Sequence, residues 1–308
     1  MSTGQPDKLV IWRIYDKRAG HDNQSLGLVN ALADQASLDC HGIPAPSFLQ
    51  SLSYFLLKRF PVGPEMPDPD LIIGAGHKTH LPMLAARRAR GGKTVVIMRP
   101  TLPTDWFDIC LVPDHDKPTI KDNVFITHGA LNAIAPASDH DPARGLILVG
   151  GPSRHYDWNT DQLMEQITTI IRKTPEIHWL ISDSARTPTE TRERLAKSVV
   201  SDNARFVPHT DTSDEWVGEQ LQECATVWVT ADSISMIYES LTAGACTGIL
   251  PVPYLKENKI TNVVNDLNRA KMIVRYQDWL TGESARLPPG NFNEARRSAA
   301  EVLKRFRT

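Results

Sequence analysis

Residues 229–251, VTADSISMIYESLTAGACTGILP, decide how the chain is read. An apolar strand ends at Thr230, and a short polar turn follows. Ile234, Ile237 and Leu241 then recur at helical spacing, Gly244 stops the helix, and a second apolar strand runs to Pro251. A strand, a one-faced helix and another strand make a βαβ crossover on a parallel sheet. Asp232 and Ser233 suit the N-cap and Gly244 the left-handed stop. The helix therefore starts at the carboxyl edge of a strand. Free N–H groups and the positive end of the helix dipole gather there and favour a phosphate. Glu239, about a turn and a half inside the helix, is placed to reach the ribose of a nucleotide whose phosphates sit at the helix start. An ordinary crossover with a solvated glutamate is the competing reading.

The same pattern extends in both directions. Strands are expected at 9–14, 70–73, 93–98, 109–112 and 123–127. A Pro/Ala/Asp-rich linker covers 134–145, and strands resume at 146–149, 178–181, 204–207 and 226–230. Helices alternate with them, and a last helix closes the chain near 293–305. Two successive runs of this kind predict an α/β protein of two doubly wound, Rossmann-like domains. Residues 1–140, completed by a helix within 290–308, form the first domain and 141–289 the second. Ligands of such sheets bind outside the carboxyl ends of the strands. If the two domains face each other, their strand-end turns line one cleft.

Those turns are polar. After the first strand, Gly20 is read as allowing a tight turn, with His21, Asp22, Asn23 and Gln24 crowding the strand end. After the strand at 70–73, the GAGHKT turn brings Gly76, His77, Lys78 and Thr79 to the same edge. It holds part of a dinucleotide-type glycine pattern, a weak signal by itself. In the second half Gly150, Gly151, Ser153 and Arg154 follow one strand, Ser184 and Arg186 the next, and Asp232, Ser233 and Ser235 the last. Asp114, His115 and Asp116 are consecutive, and consecutive residues rarely converge on one ion, so no metal site is expected. Residues 47–60, SFLQSLSYFLLKRF, read either as a core helix or as one resting on a membrane surface.

At 308 residues, 41% hydrophobic and 23% charged, the chain is an ordinary globular length and composition. A net charge of −2 supplies no overall field for nucleic acid or an anionic membrane. Cys40, Cys110, Cys224 and Cys246 stand far apart with no metal or redox spacing, which fits core thiols in a reducing cytoplasm. The first twelve residues lack the apolar core of a signal peptide.

Two resemblances enter on these residues. The order of elements is similar to that of GT-B glycosyltransferases, above all the transferase that adds N-acetylglucosamine to the lipid-linked peptidoglycan precursor. Ala19, Gly20 and His21 are similar to its glycine-glycine-histidine turn, and LVGGPS at 148–153 to the first turn of its second domain. Glu239 five residues before Gly244 is similar to its ribose-binding glutamate, and Asn262 to a donor-site asparagine. The paired glutamines of that enzyme are absent here. A tighter match is to bacterial members of the mitochondrial-fission family, named for the plant elongated-mitochondria protein. It rests on DKRAGHDNQSLGL, IIGAGHKT, FDICLVPDHD, THGALN, LVGGPSRHY, SDSARTP and VTADSISMIYES. The segment GACTGIL departs from the proline-containing form usual in relatives.

These resemblances imply a metal-independent glycosyltransferase with no tightly bound cofactor and a nucleotide-diphosphate sugar as donor substrate. The donor groups are Gly150, Gly151, Ser153, Arg154, Ser184, Arg186, Asp232, Ser233, Ser235, Glu239 and Asn262. His21 is the expected general base, with Asp22 second, and Gly20, Asn23, Gln24, Gly76, His77, Lys78 and Thr79 line the acceptor side. The acceptor is undetermined, and a lipid-linked one implies contact at the inner membrane of an otherwise cytoplasmic protein. A non-catalytic adaptor of the fission type and a nucleotide-sugar epimerase are the alternatives.

Overall fold

The computed structural model describes residues 8–63, 65–257, 259–288 and 292–307. Residues 1–7, where a leader would lie, and positions 290, 291 and 308 of the expected closing segment lie outside the described residues. The chain forms two compact units, Met1–Ala133 with Asn293–Thr308, and Ile134–Phe292.

The first unit runs β1 (Leu9–Tyr15), α1 (Ala19–Ala33), β2 (Leu38–Pro44), α2 (Phe48–Leu57), β3 (Leu71–Ala75), α3 (His77–Arg90), β4 (Lys93–Ile97), β5 (Ile109–Pro113) and β6 (Val124–Thr127). The second runs β7 (Asp141–Leu148), α4 (Thr160–Lys173), β8 (His178–Ser182), α5 (Thr189–Ser198), β9 (Val200–Ser201), β10 (Ala204–Val207), α6 (Trp216–Glu223), β11 (Cys224–Thr230), α7 (Ile234–Ala243), β12 (Cys246–Leu250), α8 (Lys259–Arg269), β13 (Val274–Arg275) and α9 (Tyr276–Leu280). The last helix, α10 (Glu294–Arg307), returns to the first unit.

The first sheet has the order β2-β1-β3-β4-β5-β6, all parallel. LIIGA in β3 and ICLVP in β5 are buried throughout, as strands covered by helices on both faces must be. The second sheet has the order β13-β12-β11-β7-β8-β10-β9, parallel except for the short β9. Each sheet therefore reverses its strand order once, between β1 and β3 and between β7 and β11. At such a switch point two neighbouring strand-end loops diverge to opposite faces and leave a gap.

Three expectations change. Gly20 does not make a turn: it lies in the first turn of α1, and the left-handed residue that bends the chain is Lys17, at φ 62°. Residues 141–145 are not linker but the first part of β7, where Asp141 pairs with Cys224 across an irregular register. The core-helix reading of 47–60 holds only in part: Phe60 is buried and Tyr54 and Phe55 pack against the core of the first unit, whereas Phe48, Leu49, Leu56 and Leu57 are exposed. Strand β2 was not expected from its polar LDCHGIP sequence, which suits an edge.

Helix α10 belongs to the first core. Ala295, Ala299, Val302 and Leu303 pack with Leu28 and Leu32 of α1. The buried Glu294 carboxylate accepts from the His128 N–H at 2.8 Å and from Arg297 at 2.6 Å. Leu303→Ala is expected to lower unfolding free energy by about 2–5 kcal/mol, through lost burial and a residual cavity. Lys304→Ala, one residue on and exposed, should stay within about 0.5 kcal/mol. Denaturant melts of the two variants check this.

Candidate functional site

At the β1/β3 switch point the chain leaves β1 at Asp16, bends at Lys17 and starts α1. The bend folds Asp16 back beneath the helix start, where the positive helix end favours a carboxylate. The Asp16 side chain is 1% exposed. It accepts from the Arg18 N–H at 3.2 Å and pairs with His21 Nδ1 at 3.0 Å. A carboxylate only accepts, so Nδ1 carries the hydrogen and Nε2 of a neutral ring is left as the acceptor. Gly76 at the end of β3 closes over this ring. Its φ is 81°, and a Cβ there would lie 2.3 Å from the imidazole, so both backbone and space demand glycine.

Beside the pair lies a cavity of about 770 Å3, whose wall includes Asp16, Lys17, His77, Lys78, His80 and Trp106. Of the expected acceptor-side residues, His77 and Lys78 line it. Gly20, Asn23, Gln24, Gly76 and Thr79 do not, and His21 reaches the wall only through its partner Asp16. Thr79 is fully buried and its hydroxyl donates to the Gly76 carbonyl, a turn-closing role. Asn23 accepts from the Ala133 N–H and so holds α1 against the 127–133 loop. Asp22 stands 3.8 Å from Arg13, and burial raises its pKa against the pull of that guanidinium. Asp16 and His80 escaped the sequence reading. Asp16 follows its strand directly, five residues before His21, and that spacing was the available signal.

His80 is 2% exposed. Its Nδ1 meets the Thr101 hydroxyl at 3.2 Å, its ring packs edge-on against Phe107, and its Nε2 has no hydrogen-bond partner. Burial, with His77 and His21 nearby, lowers its pKa to about 4.

The β7/β11 switch point is closed by a different network. The Gly150 N–H donates to the Thr230 hydroxyl at 2.8 Å, and the Gly151 N–H to Asp232 Oδ2 at 3.0 Å. Arg186 donates to the same Asp232 oxygen at 2.8 Å and to the Gly151 carbonyl at 2.7 Å. The Asp232 side chain is fully buried, so it ties three strand-end loops together rather than capping α7. A Cβ on Gly150 would fall 2.3 Å from Asp232, and one on Gly151 2.2 Å from the Arg186 carbonyl. Ser233 is the N-cap residue of α7 without a side-chain cap bond, and Ser235 is exposed. Ser153 accepts from the His155 and Tyr156 N–H groups, shaping its own turn, while Arg154 is exposed beside His155. The Ser184 N–H donates to the Thr187 hydroxyl. Glu239 is half-buried in the second turn of α7. Asn262 lines a separate cavity of about 460 Å3 with Tyr156, Ala231, Tyr254 and Arg275. Thus Gly150, Gly151, Arg186 and Asp232 come together, whereas Asn262 stands on another wall.

Asp114–Asp116 form a single 3-10 turn. Among the described residues no group of three His, Cys, Asp or Glu is arranged to hold a metal, and no helix is long and apolar enough to cross a membrane.

The family model described as Mitochondrial fission ELM1 matches residues 19–306. The chain belongs to this family. An uncharacterized protein of Rickettsia prowazekii, RP120, is 25% identical over 357 aligned positions, covering 96% of this chain and 97% of its own. Two solved structures share the fold at low identity. The UDP-GlcNAc 2-epimerase of Methanocaldococcus jannaschii superposes with a TM-score of 0.59 at 10% identity, covering 96% of this chain and all of that one. MurG of Acinetobacter baumannii gives 0.52 at 13%, covering 97% and 99%. The ELM1-family chain therefore has a GT-B-type fold, the one glycosyltransferases and epimerases of this kind share.

The buried His80 gives this family member a titration to test. Its folded pKa lies below the unfolded value of 6.5, so its contribution to stability is complete above pH 6.5 and is lost as pH falls towards about 4. At about 1.4 kcal/mol per pH unit the loss is about 3 kcal/mol. His80→Gln should flatten that part of the pH–stability curve, measured by urea melts between pH 7 and pH 4.

Proposed function

We propose that the protein is a glycosyltransferase that moves a sugar from a nucleotide diphosphate to an acceptor hydroxyl, with His21 as general base. The observation that carries this reading is the pairing of a partly exposed His21 with the buried Asp16 carboxylate at the switch point of the first sheet. An imidazole fixed in one tautomer by a carboxylate presents Nε2 as a proton acceptor. In the reaction the acceptor hydroxyl gives its proton to Nε2, and its oxygen bonds to the anomeric carbon. The bond from that carbon to the diphosphate breaks, and the electron pair leaves with the phosphate oxygen. Asp16 holds the ring and stabilises the imidazolium. In the second unit the N–H groups at the start of α7 and the outer edge of Arg186 are the groups suited to the leaving charge. Glu239 is the ribose candidate. A diphosphate there competes with Asp232 for Arg186, so the donor is held chiefly by backbone N–H groups.

The fold shared with a UDP-GlcNAc 2-epimerase makes uridine nucleotides the first to try. In a thermal-shift screen with UDP, GDP, CMP, dTDP and their sugars, one nucleotide should stabilise the protein. Saturation a hundredfold above Kd is worth about 2.7 kcal/mol. The shift should vanish in Glu239→Ala. His21→Ala and Asp16→Asn should keep it, while slowing sugar-nucleotide turnover by roughly 10²–10⁴-fold. No stabilisation by any nucleotide would replace this reading with the adaptor one.

A further inference from the structure

Helix α2 is well formed and yet poorly covered. Ser47 and Gln50 make a reciprocal capping box at its start. Phe48, Leu49, Leu56 and Leu57 nevertheless expose between 66% and 76% of their surface. A contiguous apolar face of this kind on a structured helix marks a site of contact. Phe48 and Leu52 continue from this face into the wall of the 770 Å3 cavity, where Leu81, Leu102 and the half-exposed Trp106 join them. The polar end of the cavity carries Asp16, His77 and His80, whose buried Nε2 lacks a partner. An exposed apolar helix thus leads into an apolar cavity that ends in polar groups.

Charge selects the occupant. From residue 40 to residue 63 there is no Asp or Glu, and α3, which packs beside α2, has none either. Lys58 and Arg59 follow α2, and Lys17 and Lys78 stand on the cavity wall. Arg88 lies over the Phe55 ring at 5.0 Å. An apolar ridge edged by cations complements an anionic lipid headgroup region, with each basic group adding attraction near such a surface.

We propose that this face rests on an anionic lipid surface, and that the cavity takes the hydrocarbon chain of one anionic amphiphile from it. As the identity of the sugar acceptor, that amphiphile rests on the reading of His21 given above. As a lipid site, it does not.

The test uses the full chain and no turnover. The wild type should sediment with phosphatidylcholine vesicles containing phosphatidylglycerol, and less with phosphatidylcholine alone. Calorimetry should show one dodecyl phosphate bound per chain below its micellar concentration, and no comparable binding of inorganic phosphate. Leu49→Glu, Leu56→Glu alters exposed side chains, so its melting temperature should hold while vesicle affinity falls about tenfold or more. Lys58→Asn, Arg59→Gln should lose about as much on anionic vesicles alone. Leu52→Glu, at the cavity wall, should weaken dodecyl phosphate about tenfold. Unchanged sedimentation of the Leu49→Glu, Leu56→Glu chain, or unchanged dodecyl phosphate affinity in Leu52→Glu, overturns the proposal. So does a wild-type dimer that this double variant dissociates without any vesicle binding, which assigns the face to a second copy. If vesicles bind as expected and His21→Ala leaves turnover unchanged, the lipid site stands and the acceptor-base reading falls.

Discussion

The constraint on which the rest depends is the reversal of strand order in each sheet. Right-handed crossovers send successive helices to one face until the order turns, and then to the other. At the turn, two strand ends stand side by side with their loops parting, and backbone N–H groups there have no neighbour in the sheet. Something must occupy that gap. In the first unit it is Asp16 with His21 under Gly76, and in the second Asp232 with Arg186 under Gly150 and Gly151. Both solutions use a buried carboxylate, which needs a partner because an unpaired charge at such a depth is strongly unfavourable. The partners differ in kind. Arginine is permanently charged and locks the second gap, whereas histidine can exchange a proton at the first.

Much of the architecture was legible because the parallel strands are short apolar runs between polar turns, a pattern with few competing explanations. The errors have local causes. AGH suggests a turn because glycine tolerates one, but Lys17 adopts the left-handed backbone and Gly20 proceeds into the helix. LDCHGIP lacks the apolar run of a buried strand, since an edge strand needs only one partner. DPARG looks like linker because proline and aspartate disfavour strands, yet it pairs with β11 where the register is irregular.

Site residues were legible as positions and less so as roles. All the expected strand-end turns exist, but sequence spacing does not say which side chain turns inward. Thr79 and Asn23 are spent on holding loops, whereas His80, three residues beyond His77 on α3, is driven inside against Phe107. Nor does periodicity separate a core helix from an exposed one when most of its residues are apolar, as in α2. The overall charge of −2 was likewise blind to a local stretch without a carboxylate.

The glycine pair at 150–151 shows how a good motif can point to the wrong cause. Adjacent glycines at a strand end suggest backbone bared for a phosphate. Here each glycine has a sufficient reason within the protein, because a Cβ at either would strike Asp232 or the Arg186 backbone. The motif therefore weighs little for a bound diphosphate. In the pair formed by Asp16 and His21 the histidine partners the buried carboxylate through Nδ1 alone, and its outer nitrogen makes no hydrogen bond among the described residues. The unused hydrogen-bonding capacity therefore lies in the first unit, at His21, and not at the glycine pair of the second.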